Sequence, residues 1–90
     1  MQVKNKMSEE GIATQLLQES IGKNVLVKLK GRRSVRGKIK GFDKQMNIVL
    51  TDATEIIEYI NNENSTESNQ ESQIGDTLIR GDNVITIAVL

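Results

Sequence analysis

The chain contains no cysteine, histidine, tryptophan or proline. Without cysteine and histidine there can be no disulfide framework, no usual zinc site and no Cys/His nucleophile pair. We therefore expect no enzyme, no metal site and no cofactor. Long apolar runs are also missing and the opening MQVKNKMSEE is polar, so we expect neither a signal peptide nor a membrane span. The sequence predicts an intracellular chain whose 90 residues form one domain with a modest core.

Charges of opposite sign are segregated along the chain, although the formal net charge is zero. Residues 23–44 contain nine basic residues and one acid, whereas residues 52–76 contain seven acids and no base. Any attraction for a polyanion must therefore be directional. The alternative interpretation is that the two segments pair with each other across antiparallel strands.

A short amphipathic helix is the first predicted element. Ser8 fits an N-cap, Glu9 and Glu10 fit the first turn, and Gly22 fits the end of the helix. We expect residues 1–7 to be a flexible N-terminus that precedes a single domain over residues 8–90.

Strands follow from Val25 onward, where the apolar period changes to two. VLVKLK and VRGKIKGF predict a hairpin around the turn KGRR, and NIVLTDATEIIEYI predicts a long strand that bends or carries a bulge. Gly37 and Gly41 would permit that curvature. Residues 61–73 contain no apolar residue and predict a low-complexity loop between strands, with an acidic fence that repels RNA as its functional alternative.

Two further strands, DTLIR and VITIAVL, are joined by the turn GDN. The last strand is apolar on both faces. We expect the chain itself or a neighbouring subunit to cover both of them, because an exposed edge of this kind invites strand addition.

The order of these elements and two motifs resemble the Sm and Sm-like (LSm) family. The first motif contains GFDKQMNIVLTDA and the second is IRGDNVITI, and the resemblance covers residues 16–89. It implies a mainly β fold, in which an N-terminal helix precedes a strongly bent five-stranded antiparallel sheet that forms a small open barrel. It also implies that subunits join edge to edge, fourth strand to fifth strand, in a seven-membered ring.

In that family the turns of the two motifs meet at the inner rim of the ring, where each subunit holds one unpaired base. The resemblance assigns base contact to Asn47, whose amide matches the donor and acceptor edge of uracil, and base stacking to Arg80. Gly81 would let the backbone come close to the base. Asp43 and Asp82 would orient Asn47 and Arg80 respectively. Taken singly, these residues could also be ordinary turn residues and a surface ion pair.

Gln45 departs from the family pattern, which commonly has an aromatic ring or a histidine at this position. An amide is planar but stacks on a base less well than a ring, so the site would be weak. Met46 and Phe42 are expected to point into the core.

The resemblance thus implies an RNA-binding ring subunit for U-rich single-stranded RNA, acting in pre-mRNA splicing or messenger RNA decay. Its partners would be other Sm-like subunits in a homomeric or heteromeric ring. Gln45 and the polar 61–73 segment favour the eukaryotic branch, with mixed rings in the nucleus and cytoplasm. An archaeal chain would be cytoplasmic.

Two alternatives stay open. The chain could be a structural subunit whose strand edges complete the ring while neighbouring subunits bind the RNA. A small OB-type or cold-shock module is disfavoured, because such folds stack bases on several aromatic rings and this chain has only Phe42 and Tyr59.

Overall fold

The computed structural model describes residues 11–61 and 66–90. One helix and five strands follow each other in that part of the chain: α1 Ile12–Glu19, β1 Asn24–Leu29, β2 Arg33–Phe42, β3 Ile48–Asn61, β4 Thr66–Ile79 and β5 Val84–Val89. The strands form one antiparallel sheet in the order β4-β3-β2-β1-β5. The prediction of a mainly β fold with an N-terminal helix and five antiparallel strands is confirmed.

The helix α1 begins after Gly11. Gly11 occupies the N-cap with a φ of 95°, a conformation that favours glycine, and it offers no side chain to cap the helix. The predicted cap at Ser8, the two glutamates after it and the N-terminal segment 1–7 lie outside the described residues. At the other end, the buried Ser20 hydroxyl donates to the Leu16 carbonyl at 2.7 Å.

The core lies on one face of the sheet, where alternate residues along most of β1 and β2 are buried. Its members are apolar side chains from α1 and from β1 to β4: Leu17, Val25, Val27, Leu29, Val35, Ile39, Ile48, Leu50, Ala53 and Ile79. Phe42 and Met46 pack against this core, as predicted.

The sheet bends where the register between strands shifts. β2 and β3 lose register between Arg36 and Lys38 and again between Ile39 and Gly41. At Gly37 a β-carbon would lie only 3.1 Å from the Thr51 carbonyl oxygen, so the missing side chain permits close contact between the two strands. The expectation of bulges along the long third strand is confirmed.

The predicted loop over residues 61–73 is wrong in its extent. Thr66 to Gln73 belong to β4 and pair with β3, beginning at the pair Asn61 and Thr66. Backbone hydrogen bonds of a ladder do not depend on side-chain polarity, and a strand pair that extends into solvent needs no apolar face. The absence of apolar residues therefore does not exclude strand structure. Within this segment, residues 69–73 are exposed.

Some of the segregated charges pair across strands, as the alternative interpretation predicted. Arg33 lies 2.8 Å from Glu55, and Arg36 lies 3.7 Å from Glu71. Both pairs join β2 to the acidic part of the sheet, and both are exposed enough that their contribution to stability is small.

The two edges of the sheet, β4 and β5, expose large apolar side chains. Leu78 on β4 is 65% exposed and Ile85 on β5 is 60% exposed. Within residues 11–61 and 66–90, side chains on β5 stay exposed. That a neighbouring subunit covers them stays a prediction. Among the described residues, no helix is both long enough and apolar enough to cross a membrane.

Candidate nucleic-acid interface

The turn between β2 and β3 is organised by the carboxylate of Asp43. Its Oδ1 accepts the backbone N–H groups of Gln45 and Asn47, each at 3.0 Å, and its Oδ2 accepts the Asn47 side-chain amide at 2.9 Å. The Met46 N–H donates to the Asp43 carbonyl at 3.0 Å, and Met46 takes a φ of 67°. One carboxylate thus holds the turn closed and fixes the side chain of Asn47.

These hydrogen bonds also affect the acidity of Asp43. The Asn47 side-chain amide, followed by the Asn47 backbone N–H, holds the pKa of the Asp43 carboxyl below its ordinary value. Hydrogen bonds to the ionised form favour that form, so the carboxylate is the state that the turn stabilises.

Asn47 joins this turn to the turn before β5. Its Oδ1 accepts the backbone N–H of Gly81 at 2.8 Å. Because Oδ1 is the acceptor here and Nδ2 is the donor to Asp43, the amide has one orientation. A second N–H and a second oxygen lone pair are left for another partner.

Gly81 lies against the backbone of the first turn. A β-carbon at this position would overlap the Gln45 carbonyl oxygen and lie 2.8 Å from the carbonyl carbon of Met46. The atoms it would meet belong to the backbone and cannot rotate away as the end of a flexible side chain could. Gly81 therefore lies close to the other turn, which brings both motifs into one site. Its close approach to a base stays a prediction.

Arg80 and Asp82 form a loose pair at the solvent side of this site. The Arg80 Nη2 lies 3.4 Å from Asp82 Oδ2, and both side chains are about two-thirds exposed or more, at 73% and 67%. In the same segment, the Asn83 N–H donates to the Arg80 carbonyl at 3.0 Å and closes a single 3-10 turn, Gly81–Asn83. The guanidinium is held far less firmly than Asn47.

The two turns enclose a cavity of about 450 Å³. It is lined by Gln45, Met46, Asn47, Arg80, Gly81 and Asp82. Five of the six predicted site residues line it. Asp43 does not, but its carboxylate accepts a hydrogen bond from the lining residue Asn47. The lining role of Met46 was missed, since an apolar residue beside a core strand predicts only packing.

The cavity offers hydrogen-bonding groups and one cation to a ligand. Asn47 and Gln45 contribute amides, Arg80 contributes a planar cation, and Met46 contributes an apolar surface. No group of three or more histidine, cysteine or acidic side chains in residues 11–61 and 66–90 is arranged to hold a metal ion. This chemistry suits a small planar polar group such as a nucleic-acid base.

Comparison with known proteins identifies the family and the fold. The family model of the LSM domain matches residues 15–89. A protein of Methanosarcina barkeri named as an snRNP Sm-like protein is 37% identical over 73 residues, which cover 81% of this chain and 89% of that protein. Small nuclear ribonucleoprotein G of Saccharomyces cerevisiae is 32% identical over 80 residues, which cover 88% of this chain and 95% of that protein.

Solved structures agree. A heptameric archaeal Sm protein shares 37% identity and superimposes with a TM-score of 0.64, covering 84% of this chain and 97% of that one. The Sm protein of Pyrococcus abyssii, solved in complex with a uridine heptamer, shares 32% identity with a TM-score of 0.66, covering 86% and 96% of the two chains. This chain belongs to the Sm and Sm-like family.

Proposed function

We propose that the chain is an RNA-binding subunit of an Sm-like ring and that its cavity holds one base of U-rich single-stranded RNA. The observation that carries this proposal is the hydrogen bond from the Gly81 N–H to Asn47, which joins both family motifs into one polar cavity. The uridine complex of the Pyrococcus abyssii relative supports uridine as the base.

The proposed contacts follow from the groups that the turn leaves available. Asn47 presents one N–H and one lone pair, which match the adjacent acceptor and donor of the uracil edge. Arg80 is exposed and planar, so it can stack on the base while its charge favours the neighbouring phosphate. Asp82 limits the positions of Arg80, and Asp43 fixes Asn47.

Gln45 is the weak point of this proposed site. Its side chain is exposed and lines the cavity, but it offers an amide where a ring would stack. A ring assembly compensates for a weak site, because several cavities acting on one strand raise the effective concentration of each next nucleotide.

Ring assembly would cover the apolar residues of the sheet edges. β4 and β5 are the two ends of the five-stranded order, and Leu78 and Ile85 on them are exposed. The heptameric archaeal relative supports a ring of seven. Pairing of β4 with β5 of the next subunit would close the sheet edges around that ring.

The biological role that we propose is RNA binding in RNA processing, without catalysis. A eukaryotic chain would act in splicing or messenger RNA decay within a mixed ring in the nucleus and cytoplasm. An archaeal chain would act in the cytoplasm, and relatives from both groups support the proposal of RNA processing. A native mass spectrum of the isolated chain distinguishes a homomeric ring from a subunit that needs different partners.

Fluorescence anisotropy tests the base preference. The purified chain is titrated against labelled oligo-uridine and oligo-adenine of equal length near physiological salt, where binding through phosphates alone is weak. A clear preference for uridine is the expected result. Equal affinity for both oligonucleotides, in a chain that mass spectrometry shows to be assembled, would contradict the base site.

A purely structural role is the second candidate. It is favoured by the observation that Asn47 already uses part of its amide for Asp43 and Gly81. In that case the isolated chain would bind neither oligonucleotide, and substitutions in its cavity would leave the RNA affinity of a reconstituted mixed ring unchanged.

A further inference from the structure

The solvent face of β2 carries a row of cations. Arg36, Lys38 and Lys40 are exposed and alternate with the buried Gly37 and Ile39. We refer to these three cations as the basic stripe. Because residues two apart on a strand lie on the same face about 6.6 Å apart, the stripe is a linear array of positive charge.

A fourth cation lies beside the stripe. The Ile39 N–H donates to the Lys23 carbonyl at 3.1 Å, and the Gly22 N–H donates to the Ile39 carbonyl at 2.8 Å. These bonds place Lys23 next to the segment between Lys38 and Lys40. The side chain of Lys23 is exposed as well.

The stripe is neutralised at only one end. Arg36 pairs with Glu71 at 3.7 Å, whereas Lys23, Lys38 and Lys40 make no ion pair within the described part of the chain. Within the stripe, the unpaired positive charge therefore lies at the end of β2 that leads to Phe42.

That end of β2 leads directly to the candidate cavity. Lys40 precedes Asp43 by three residues, a distance of roughly 10 Å along an extended chain. A strand of RNA whose base occupies the cavity could continue along the outer face of β2, which carries no acidic residue. The Asp43 carboxylate at its end accepts hydrogen bonds from Gln45 and Asn47.

The stripe lacks the apolar centre that a protein partner would need. The exposed large apolar side chains of the described residues lie on α1, β3, β4, β5 or in connections, and none lies on β1 or β2. Specific protein interfaces have an apolar or aromatic centre, whereas phosphate binding needs only positive charge.

We propose that the basic stripe binds the phosphates of the RNA segment that flanks the bases held in the cavities. It would act without base preference and would lengthen the RNA site beyond the cavity. This inference extends the proposed function, since it assigns a second RNA surface on the outside of the sheet.

Two RNAs distinguish binding to the stripe from binding to the cavity. One is a uridine heptamer, and the other is the same heptamer extended by ten adenosines on each side. The variant carries Lys38→Gln together with Lys40→Gln. Each stripe that the RNA occupies would lose two phosphate contacts. Binding of the extended RNA should therefore weaken by at least about tenfold near physiological salt, and its salt slope should fall by about 1.4 for each occupied stripe. Affinity for the bare heptamer should stay unchanged.

The matched control carries Lys30→Gln together with Arg32→Gln, which removes the same charge from exposed positions at the opposite end of β2. It should retain wild-type affinity for the extended RNA. Equal losses in both double variants would overturn the proposal, because the effect would then come from net charge alone. An unchanged affinity of the Lys38/Lys40 variant would overturn it too and leave an acidic protein as the partner to test.

The uridine heptamer also tests the proposed function of the cavity separately from the inference about the stripe. Wild-type chain that fails to bind the heptamer contradicts the cavity. Binding of the heptamer with no gain from the adenosine extension contradicts the stripe alone. Native mass spectra of every variant establish that the assembly is intact before the affinities are compared.

Discussion

The side-chain oxygen of Asn47 accepts the backbone N–H of Gly81 at 2.8 Å, although the two residues are 34 positions apart in the chain. Asp43 holds the other end of the same amide at 2.9 Å. The candidate cavity is thus built around one side chain that is fixed from both turns. Its shape depends on both turns, so a substitution in one turn should alter the position of the other.

Replacing Asn47 with alanine should affect both stability and binding. The substitution leaves the part-buried Gly81 N–H without its acceptor, which should lower the free energy of unfolding by about 1–3 kcal/mol. It should also weaken uridine binding without changing the assembly. Urea denaturation at matched protein concentration and anisotropy measure the two effects.

Asn24→Ala, an exposed position at the start of β1, is the control for Asn47→Ala. It should leave both quantities near the wild-type values. Wild-type uridine affinity in the Asn47 variant would exclude a role for that amide in base recognition.

Gly81→Ala should separate the two turns. The new methyl group overlaps backbone atoms of Gln45 and Met46, which cannot rotate away. Overpacking of this kind typically costs about 1–3 kcal/mol, and we expect uridine binding to fall with it. Gly41→Ala is the matched control, because a β-carbon there meets no atom within 4 Å. Similar behaviour of the two variants in urea denaturation would refute the close approach.

The Asp43 carboxylate should contribute to stability in a pH-dependent way. Its lowered pKa means that the folded state favours the ionised form, so the contribution is present above the ordinary aspartate pKa of about 3.9 and is lost as the pH falls through the lowered value. The stability difference between wild type and Asp43→Asn should therefore be constant near neutral pH and shrink below about pH 4.

Urea denaturation over a pH series measures this difference. The carboxylate is exposed, so we expect a modest effect that decreases further in high salt. A difference that grows as the pH falls would have the wrong sign for this account.

A ring at position 45 should strengthen base binding. Gln45 is exposed and lines the cavity, so Gln45→Phe adds a stacking surface without disturbing the core. Stacking on an aromatic ring is worth about 1–3 kcal/mol per base, and the gain over an amide should be a part of that. Anisotropy with oligo-uridine measures the gain. Gln18→Phe, on the exposed face of α1, is the control, and equal gains would indicate unspecific adhesion.

Leu78→Lys should prevent ring assembly. Leu78 lies on the edge strand β4, and a lysine there opposes addition of a strand from a neighbour. Ile12→Lys is the control, since Ile12 is exposed to the same extent, 65%, but belongs to α1 and not to an edge strand. Native mass spectrometry should find smaller species for the first variant and the ring for the second. A ring in both would place the subunit contact elsewhere.

Much of the fold could be predicted from the sequence, because alternation of apolar residues fixes which face of β1 and β2 is buried. The polar part of β4 could not be predicted, since its pairing depends on backbone hydrogen bonds that composition does not reveal. The glycine N-cap of α1 was also missed. A glycine N-cap contributes through its backbone conformation, and Ser8 carried the stronger sequence signal.

The site residues were predicted from the family motifs, and five of the six line one cavity. Their contact with a base stays a prediction. The sequence could not reveal the division of labour among them. Asn47 was assigned to the base alone, yet it also joins the turns, and the closest neighbour of Gly81 is the other turn. Contacts between residues so distant in the chain depend on the curvature of the whole sheet.

A crystal structure of the chain with a uridine heptamer would test the central claim most directly. The account predicts one uracil in the cavity of each subunit, with its edge on the Asn47 amide and its face near Arg80. Uridines that lie only on the outside of the sheet, with the cavities empty, would contradict it.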